Sequence, residues 1–187
     1  VAYLKKQIID ALGDGASLGV KIEYASADSP LGTAGQLKTA ERFIDGTFLA
    51  MNGDIVTSLN IGNLLETHRR LGGVGTLALK KYDVKMPYGF ITTGEGGAIT
   101  KFEEKPTLSF MANAGVYALE TEIFKKIPVG RASSLETEVF PLLIANGMQL
   151  NSYFEDAEWA DVGSMTDFER VNDEALLKDS QQGWSSP

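Results

Sequence analysis

Thr47-Phe48-Leu49-Ala50-Met51-Asn52-Gly53-Asp54 is the stretch on which the fold turns. A short apolar run ends in Asn-Gly-Asp, and a helical segment is expected to follow. The run reads as a buried parallel strand, which leaves Asp54 at its carboxyl end. In open α/β sheets that edge is where ligands bind. Gly53 lets a ligand or metal ion come close to the backbone. An aspartate held there can ligate a magnesium ion that also bridges phosphates. By itself the tripeptide reads first as a turn, because Asn-Gly and Gly-Asp are ordinary turn dipeptides. The flanking sequence shifts that reading.

Upstream, Leu4, Ile8, Ile9 and Leu12 fall at helical spacing, and Gly13-Asp14-Gly15 ends the helix. Val20 to Ala25 alternates like a strand. Ser29-Pro30-Leu31-Gly32 is a loop, with Thr33 as cap of a helix to about Ile44. Downstream, Asn60 caps a helix bearing Leu64, Leu65 and Leu71 on one face. A strand spans Val74 to Lys80. Phe90–Thr93 and Ala98–Glu103 flank Gly94-Glu95-Gly96-Gly97 as a hairpin. Strands are expected over Ala114–Leu119 and Gln149–Phe154, with a short extended piece over Trp159–Gly163. Helices are expected over Leu135–Asn146, stopped by Gly147, and from Thr166 to about Lys178. Together these predict an α/β fold with a mixed sheet flanked by helices, over residues 1–179. The polar stretch 180–187 reads as a disordered tail.

The chain has 187 residues, enough for one domain with a sizeable core. A net charge of −8 argues against nucleic acid or an anionic membrane as a bulk partner, but not against a single nucleotide held by a metal. The absence of cysteine excludes thiolate catalysis, disulfides and Cys-based zinc sites. The only histidine, His68, lies in Glu66-Thr67-His68-Arg69-Arg70 and reads as part of a solvated helix face. No apolar stretch reaches membrane-spanning length and none reads as a signal peptide, so a cytoplasmic small-molecule protein is expected.

Four further constellations could carry chemistry. Leu31-Gly32-Thr33-Ala34-Gly35 is a loop entering a helix, whose small residues let a base, ribose or phosphate approach. Glu103-Glu104-Lys105-Pro106 ends a strand; Lys105 could neutralise a phosphate and the adjacent Glu could hold a sugar hydroxyl, although charge runs are more often plain solvated surface. Asn113-Ala114-Gly115 opens a strand, and an Asn amide can both donate to and accept from vicinal hydroxyls. Trp159-Ala160-Asp161-Val162-Gly163 sets a second carboxylate among apolar residues, where it needs a partner or a metal. Asp54 and Asp161 could share one magnesium ion. A fifth pattern, Gly73-Val74-Gly75-Thr76-Leu77-Ala78, matches GxGxxA but lies between a helix and a strand. Dinucleotide binding needs the opposite order, so it is set aside.

Taken in order, these pieces resemble the sugar-1-phosphate nucleotidylyltransferases, over about residues 1–178. Mannose-1-phosphate guanylyltransferases and glucose-1-phosphate thymidylyltransferases look most similar. The resemblance implies a Rossmann-like sheet of the nucleotide-diphospho-sugar transferase type. It implies transfer of a nucleotidyl group from an NTP to a sugar 1-phosphate, with magnesium as cofactor. Leu31, Gly32, Thr33 and Gly35 would contact base and ribose. Asp54 and Asp161 would hold the metal, and Lys105 would meet the sugar phosphate. Tyr88, Gly89, Glu104, Asn113, Gly115 and Glu136 would line the sugar pocket.

The family's Gly-rich phosphate loop, GxGTRLxP, does not occur in this sequence, which begins at Val1 inside the helix that would follow that loop. The fold is therefore expected to lack the first βαβ segment. Two expectations follow: little transferase activity from this polypeptide alone, and self-association as a homo-oligomer, or complementation by another segment, through unpaired strand edges. The alternatives are a non-catalytic homologue that binds NDP-sugars as a regulatory module, a glycosyltransferase, or an interaction protein. Glycosyltransferases of the related fold hold their metal with Asp-x-Asp, and no Asp-x-Asp occurs here.

Overall fold

A computed structural model describes residues 3–181, with side chains through Asp173. The polar stretch 182–187 lies outside the described residues. The elements run α1 (Lys5–Leu12), α2 (Gly32–Thr39), β1 (Phe48–Met51), β2 (Ile55–Thr57), α3 (Ile61–Leu71), β3 (Gly75–Lys85), β4 (Phe90–Thr93), β5 (Ile99–Glu103), β6 (Thr107–Leu119), α4 (Phe140–Ala145), β7 (Leu150–Phe154), β8 (Trp159–Asp161) and α5 (Met165–Gln181). A π-helical turn, Leu135–Val139, leads into α4. The expected α/β architecture stands: a four-stranded sheet of order β1-β6-β3-β7, two two-stranded ladders (β2-β8 and β4-β5), and helices around them.

The chain divides into two compact units: residues 1–52, 61–77 and 116–153, and residues 53–60, 78–115 and 154–187. The first unit holds the hydrophobic core. Tyr117 and Leu119 of β6 pack with Ile123, Phe124, Ile127, Leu135, Val139, Phe140 and Leu143, and with Ala34 of α2. Phe48 stacks on Phe124 at 5.4 Å, and Tyr117 meets Phe140 edge-on at 5.3 Å. Burying such side chains stabilises by about 1.5–3 kcal/mol each, which makes this cluster the main source of stability in the unit. In the second unit, Trp159 of β8 donates its indole N–H to the Ala114 carbonyl at 2.8 Å, and Lys80 lies 4.1 Å over its ring. The β4-β5 hairpin of that unit is exposed along its whole length.

Several local expectations are corrected. β1 is neither parallel nor fully buried. It pairs antiparallel with β6, Phe48 opposite Leu119, and its residues alternate between half-buried and exposed. Asp54 is followed by strand β2 before helix α3; three residues, Ile55-Val56-Thr57, are too few to show a period. Residues 20–25 form no strand; Val20 N and Ile22 N donate instead to the carbonyls of Gly15 and Asp14 at 3.1 and 2.8 Å, in the turn that follows α1. Asn113-Ala114-Gly115 sits within β6 rather than at its start. α2 ends at Thr39, and its N-cap is Leu31 rather than Thr33. α5 continues past Lys178 to Gln181.

His68 is the largest correction. It is buried, with 1 % exposure. Its Nε2 donates to Glu120 Oε1 at 3.0 Å, and its Nδ1 lies 2.9 Å from the Thr76 hydroxyl. Glu120 also accepts from the Thr47 hydroxyl at 2.6 Å. The ring thus ties α3 to the start of β3 and the end of β6. Leu64 and His68 are four residues apart on the buried face of α3. That spacing was the available signal.

Candidate active site

In the first unit, the Leu31–Gly35 loop is held by the segment 131–136. Ala34 N and Gly35 N donate to the Ser133 carbonyl at 3.0 and 3.3 Å, and Ser133 N donates to Leu31 O at 2.8 Å. Gly32 has φ 69, and a Cβ there would lie 2.5 Å from Ser133 O, so this contact demands glycine. A Cβ on Gly35 would lie 2.7 Å from Leu31 Cβ. Two of the helix's first N–H groups are therefore already satisfied by Ser133, which removes them from any anion site.

The carboxylate of Glu136 closes the arrangement. Its Oε2 accepts from the hydroxyls of Thr33 at 2.7 Å and Ser134 at 2.8 Å, and its Oε1 accepts from Tyr117 at 3.0 Å. Burial alone would push this carboxyl up. The hydrogen bonds from Thr33, Ser134, the backbone and Tyr117 outweigh burial and hold it below its ordinary value. The structure thus groups Glu136 with the loop of the first unit. A cavity of about 710 Å³ in the same unit is lined by Leu31, Gly32, Thr33, Tyr117 and Leu135, with β1 along one side. Its volume falls in the range of small-molecule sites.

In the second unit, β2 and β8 pair antiparallel with Ile55 opposite Asp161, so Asp54 and Asp161 emerge at the same end of the ladder. Val162 N donates to Asp54 O at 2.8 Å, and Gly163 N donates to Asp161 Oδ1 at 2.8 Å. A Cβ on Gly163 would lie 3.0 Å from Asp161 Oδ1 and 3.9 Å from Asp54 Oδ2. The two carboxylates therefore face one small space that glycine leaves open. Among the described residues neither carboxylate forms an ion pair, and no cluster of three or more metal-ligating side chains occurs. Two unneutralised carboxylates around an open space fit magnesium, which takes one or two protein carboxylates and fills its remaining positions with water and substrate phosphate.

The other residues of this unit form two further groups. Tyr88-Gly89 lies against the Glu104 side, where a Cβ on Gly89 would be 2.7 Å from Glu104 Oε2. Met86 N donates to Pro106 O at 3.0 Å and fastens this turn to the Glu104-Lys105-Pro106 corner. Lys105 is exposed and has φ 46, a left-handed conformation that costs a non-glycine residue about 1–3 kcal/mol. Asn113 Oδ1 accepts from Gly115 N at 3.1 Å, and Gly115 has φ 71 in mid-strand. The Trp159 bond to Ala114 sets that kink beside β8, two residues before Asp161. Sequence reasoning missed the clamp residues Ser133, Ser134 and Tyr117. The Ser134-Leu135-Glu136 start of a helical run was their one visible signal.

A model of the nucleotidyl transferase family matches residues 2–178. The chain belongs to this family. Among curated members, the mannose-1-phosphate guanylyltransferase of Mycobacterium tuberculosis is 35 % identical over 164 residues, covering 84 % of this chain and 45 % of that protein. The UTP–glucose-1-phosphate uridylyltransferase of Synechocystis is 31 % identical over 186 residues, covering 90 % of this chain and 48 % of that one. The chain thus spans about half the length of these nucleotidyl transferases. Among solved structures, HddC from Yersinia pseudotuberculosis matches 93 % of this chain and 76 % of its own, with a TM-score of 0.70 at 22 % identity. That likeness shows a shared fold. Among the described residues no helix is long and apolar enough to cross a membrane.

Proposed function

We propose that this chain supplies the catalytic framework for transferring a nucleotidyl group from an NTP to a sugar 1-phosphate, giving an NDP-sugar and pyrophosphate. The observation that carries the reading is the convergence of Asp54 and Asp161 on the open space beside Gly163. The named activities of the two curated relatives support it. In this reaction a sugar-phosphate oxygen attacks the α-phosphorus of the NTP; the new P–O bond forms as the bond to pyrophosphate breaks. No nucleophilic side chain is required, so positioning and charge neutralisation supply the catalysis.

Asp54 and Asp161 would hold magnesium, which supplies neutralisation between two anionic substrates. Lys105 meets the sugar phosphate. Tyr88, Gly89, Glu104, Asn113 and Gly115 take the sugar hydroxyls. Leu31, Gly32, Thr33 and Gly35 take base and ribose. A cytoplasmic setting and homo-oligomeric assembly belong to the same reading. The terminal position of β1 in its sheet, with Leu49 and Met51 exposed, supports assembly.

Binding of Mn²⁺, a paramagnetic stand-in for magnesium, tests the proposal when measured with GTP or UTP and with mannose or glucose 1-phosphate. Nucleotide should strengthen Mn²⁺ binding, and Asp54→Asn and Asp161→Asn should each weaken it by about tenfold or more. Equal Mn²⁺ binding by the parent and both variants would defeat the reading. Pyrophosphate release, followed for each NTP and sugar phosphate, identifies the substrate pair.

A further inference from the structure

The first turn of α2 has little reason to hold its shape unaided. It contains two glycines in four residues, Gly32-Thr33-Ala34-Gly35, and its N-cap Leu31 offers no side-chain hydrogen bond. Its order comes from the segment 131–136, about a hundred residues along the chain. Backbone bonds join Ala34 N and Gly35 N to Ser133 O and Ser133 N to Leu31 O; a further contact runs through the Thr33 side chain.

The direction of each hydrogen bond in that side-chain contact is set by Glu136. An ionised carboxylate only accepts. The Thr33 proton is therefore committed to Oε2, which leaves the Thr33 oxygen to accept from Leu135 N at 2.9 Å. The Ser134 proton is committed in the same way, and the Ser134 oxygen accepts from Glu136 N and Thr137 N, both at 3.1 Å. Tyr117, in the buried part of β6, donates to Oε1 and anchors the carboxylate to the core. One carboxylate thus orients three hydroxyls and joins α2, the π-helical turn and β6. π-helical turns recur at functional sites.

We propose that Glu136 is a positioning residue for the nucleotide loop. By accepting from Thr33, Ser134 and Tyr117 at once, its carboxylate fixes the first turn of α2 and so sets where Leu31–Gly35 meets base and ribose. The inference rests on the reading of Leu31–Gly35 as a nucleotide loop. It differs from a sugar-ligand role in what it predicts: loss of Glu136 weakens nucleotide binding in the absence of any sugar phosphate.

The test compares the parent chain, Glu136→Ala, Glu136→Gln, Thr33→Val and the Thr33→Val/Glu136→Ala double variant. Dissociation constants are measured for GTP, UTP and dTTP with magnesium, and amide hydrogen exchange is followed at residues 33–35. A glutamine can keep its carbonyl oxygen on Thr33 and Ser134 and turn its NH₂ toward the Tyr117 oxygen. Glu136→Gln should therefore bind the preferred nucleotide within about threefold of the parent, and Glu136→Ala about tenfold or more worse. Exchange at 33–35 should accelerate in Glu136→Ala and not in Glu136→Gln. The double variant should lose less than the product of the two single losses, since both remove the same bond.

A role confined to stability would lower the unfolding midpoint of Glu136→Ala yet leave nucleotide affinity and exchange at 33–35 unchanged below that midpoint. That result would overturn the proposal, as would Glu136→Gln behaving like Glu136→Ala. Should the parent chain bind none of the three nucleotides, the nucleotide reading fails. Exchange at 33–35 then decides the clamp: acceleration in Glu136→Ala upholds it and no change rejects it.

Discussion

The two units hold their candidate residues by opposite means. In the first, Gly32, Thr33, Gly35 and Glu136 are built into the edge of a packed core, each with a defined partner. In the second, Asp54, Asp161 and Lys105 stand exposed on ladders and turns, and among the described residues none of the three forms an ion pair. The difference suits the ligands proposed for each. A base and ribose are recognised by shape and hydrogen bonds, which reward rigidity. A metal and phosphates bring their own charge, so the protein needs carboxylates and a lysine not already neutralised by each other. Substitutions in the first unit should therefore alter fold and binding together. Those in the second should alter binding alone.

The largest expected effect lies in the first unit. Gly32→Val would set a Cβ 2.5 Å from Ser133 O at a φ of 69, and should destabilise by about 3 kcal/mol or more. Chemical denaturation measures this; a loss below about 1 kcal/mol would show that the loop is not clamped as described. His68→Ala comes next. It empties a buried site and takes a partner from both Thr76 and Glu120, at a cost of about 2–4 kcal/mol. A Thr76→Val/His68→Leu pair should recover part of that loss, since apolar groups on both sides leave fewer polar atoms unpaired.

Asp161→Asn is the contrasting case. It should cut nucleotide-dependent Mn²⁺ binding by about tenfold while leaving the unfolding midpoint where it stands in the parent chain. A clear drop in midpoint would erase the distinction between the units.

The smallest effect is one of pH. The folded Glu136 carboxyl lies below its ordinary value of 4.5. Its contribution to stability is therefore complete above the ordinary value and is lost as pH falls through the lowered folded value. The stability difference between the parent chain and Glu136→Gln should hold steady above about pH 5 and narrow on further acidification. A gap that widens in acid would contradict the assigned hydrogen bonds.

Much of the fold was legible because its signals are local. The apolar run into Asn52-Gly53-Asp54 marked β1, the Gly-rich tetrapeptide at 94–97 marked the β4-β5 hairpin, and Gly147, at φ 68, marked the end of α4. The GxGxxA stretch follows α3 and runs into β3, which begins at Gly75, the helix-then-strand order on which it was set aside; a Cβ on Gly73 would meet Gln149 O at 2.5 Å. Illegible were features that depend on a distant partner. Val20 to Ala25 alternates as a strand should, yet its backbone turns back on Asp14 and Gly15 and forms no strand. His68 is polar by type and buried by location, because Thr76 and Glu120 come to meet it.

The sequence by itself determined the α/β class, most of the helices and strands, and which side chains have the chemistry proposed for a nucleotide, a sugar phosphate and a metal. These depend on side-chain type and on spacing within a few residues, which set local backbone preference. The tertiary structure alone decided the antiparallel direction of β1, the burial of His68, the facing of Asp54 and Asp161 across β2-β8, and the bond from Thr33 to Glu136. That last pair is separated by 103 residues. Its contact is selected by the packing of the whole first unit, and no local preference at either residue encodes it.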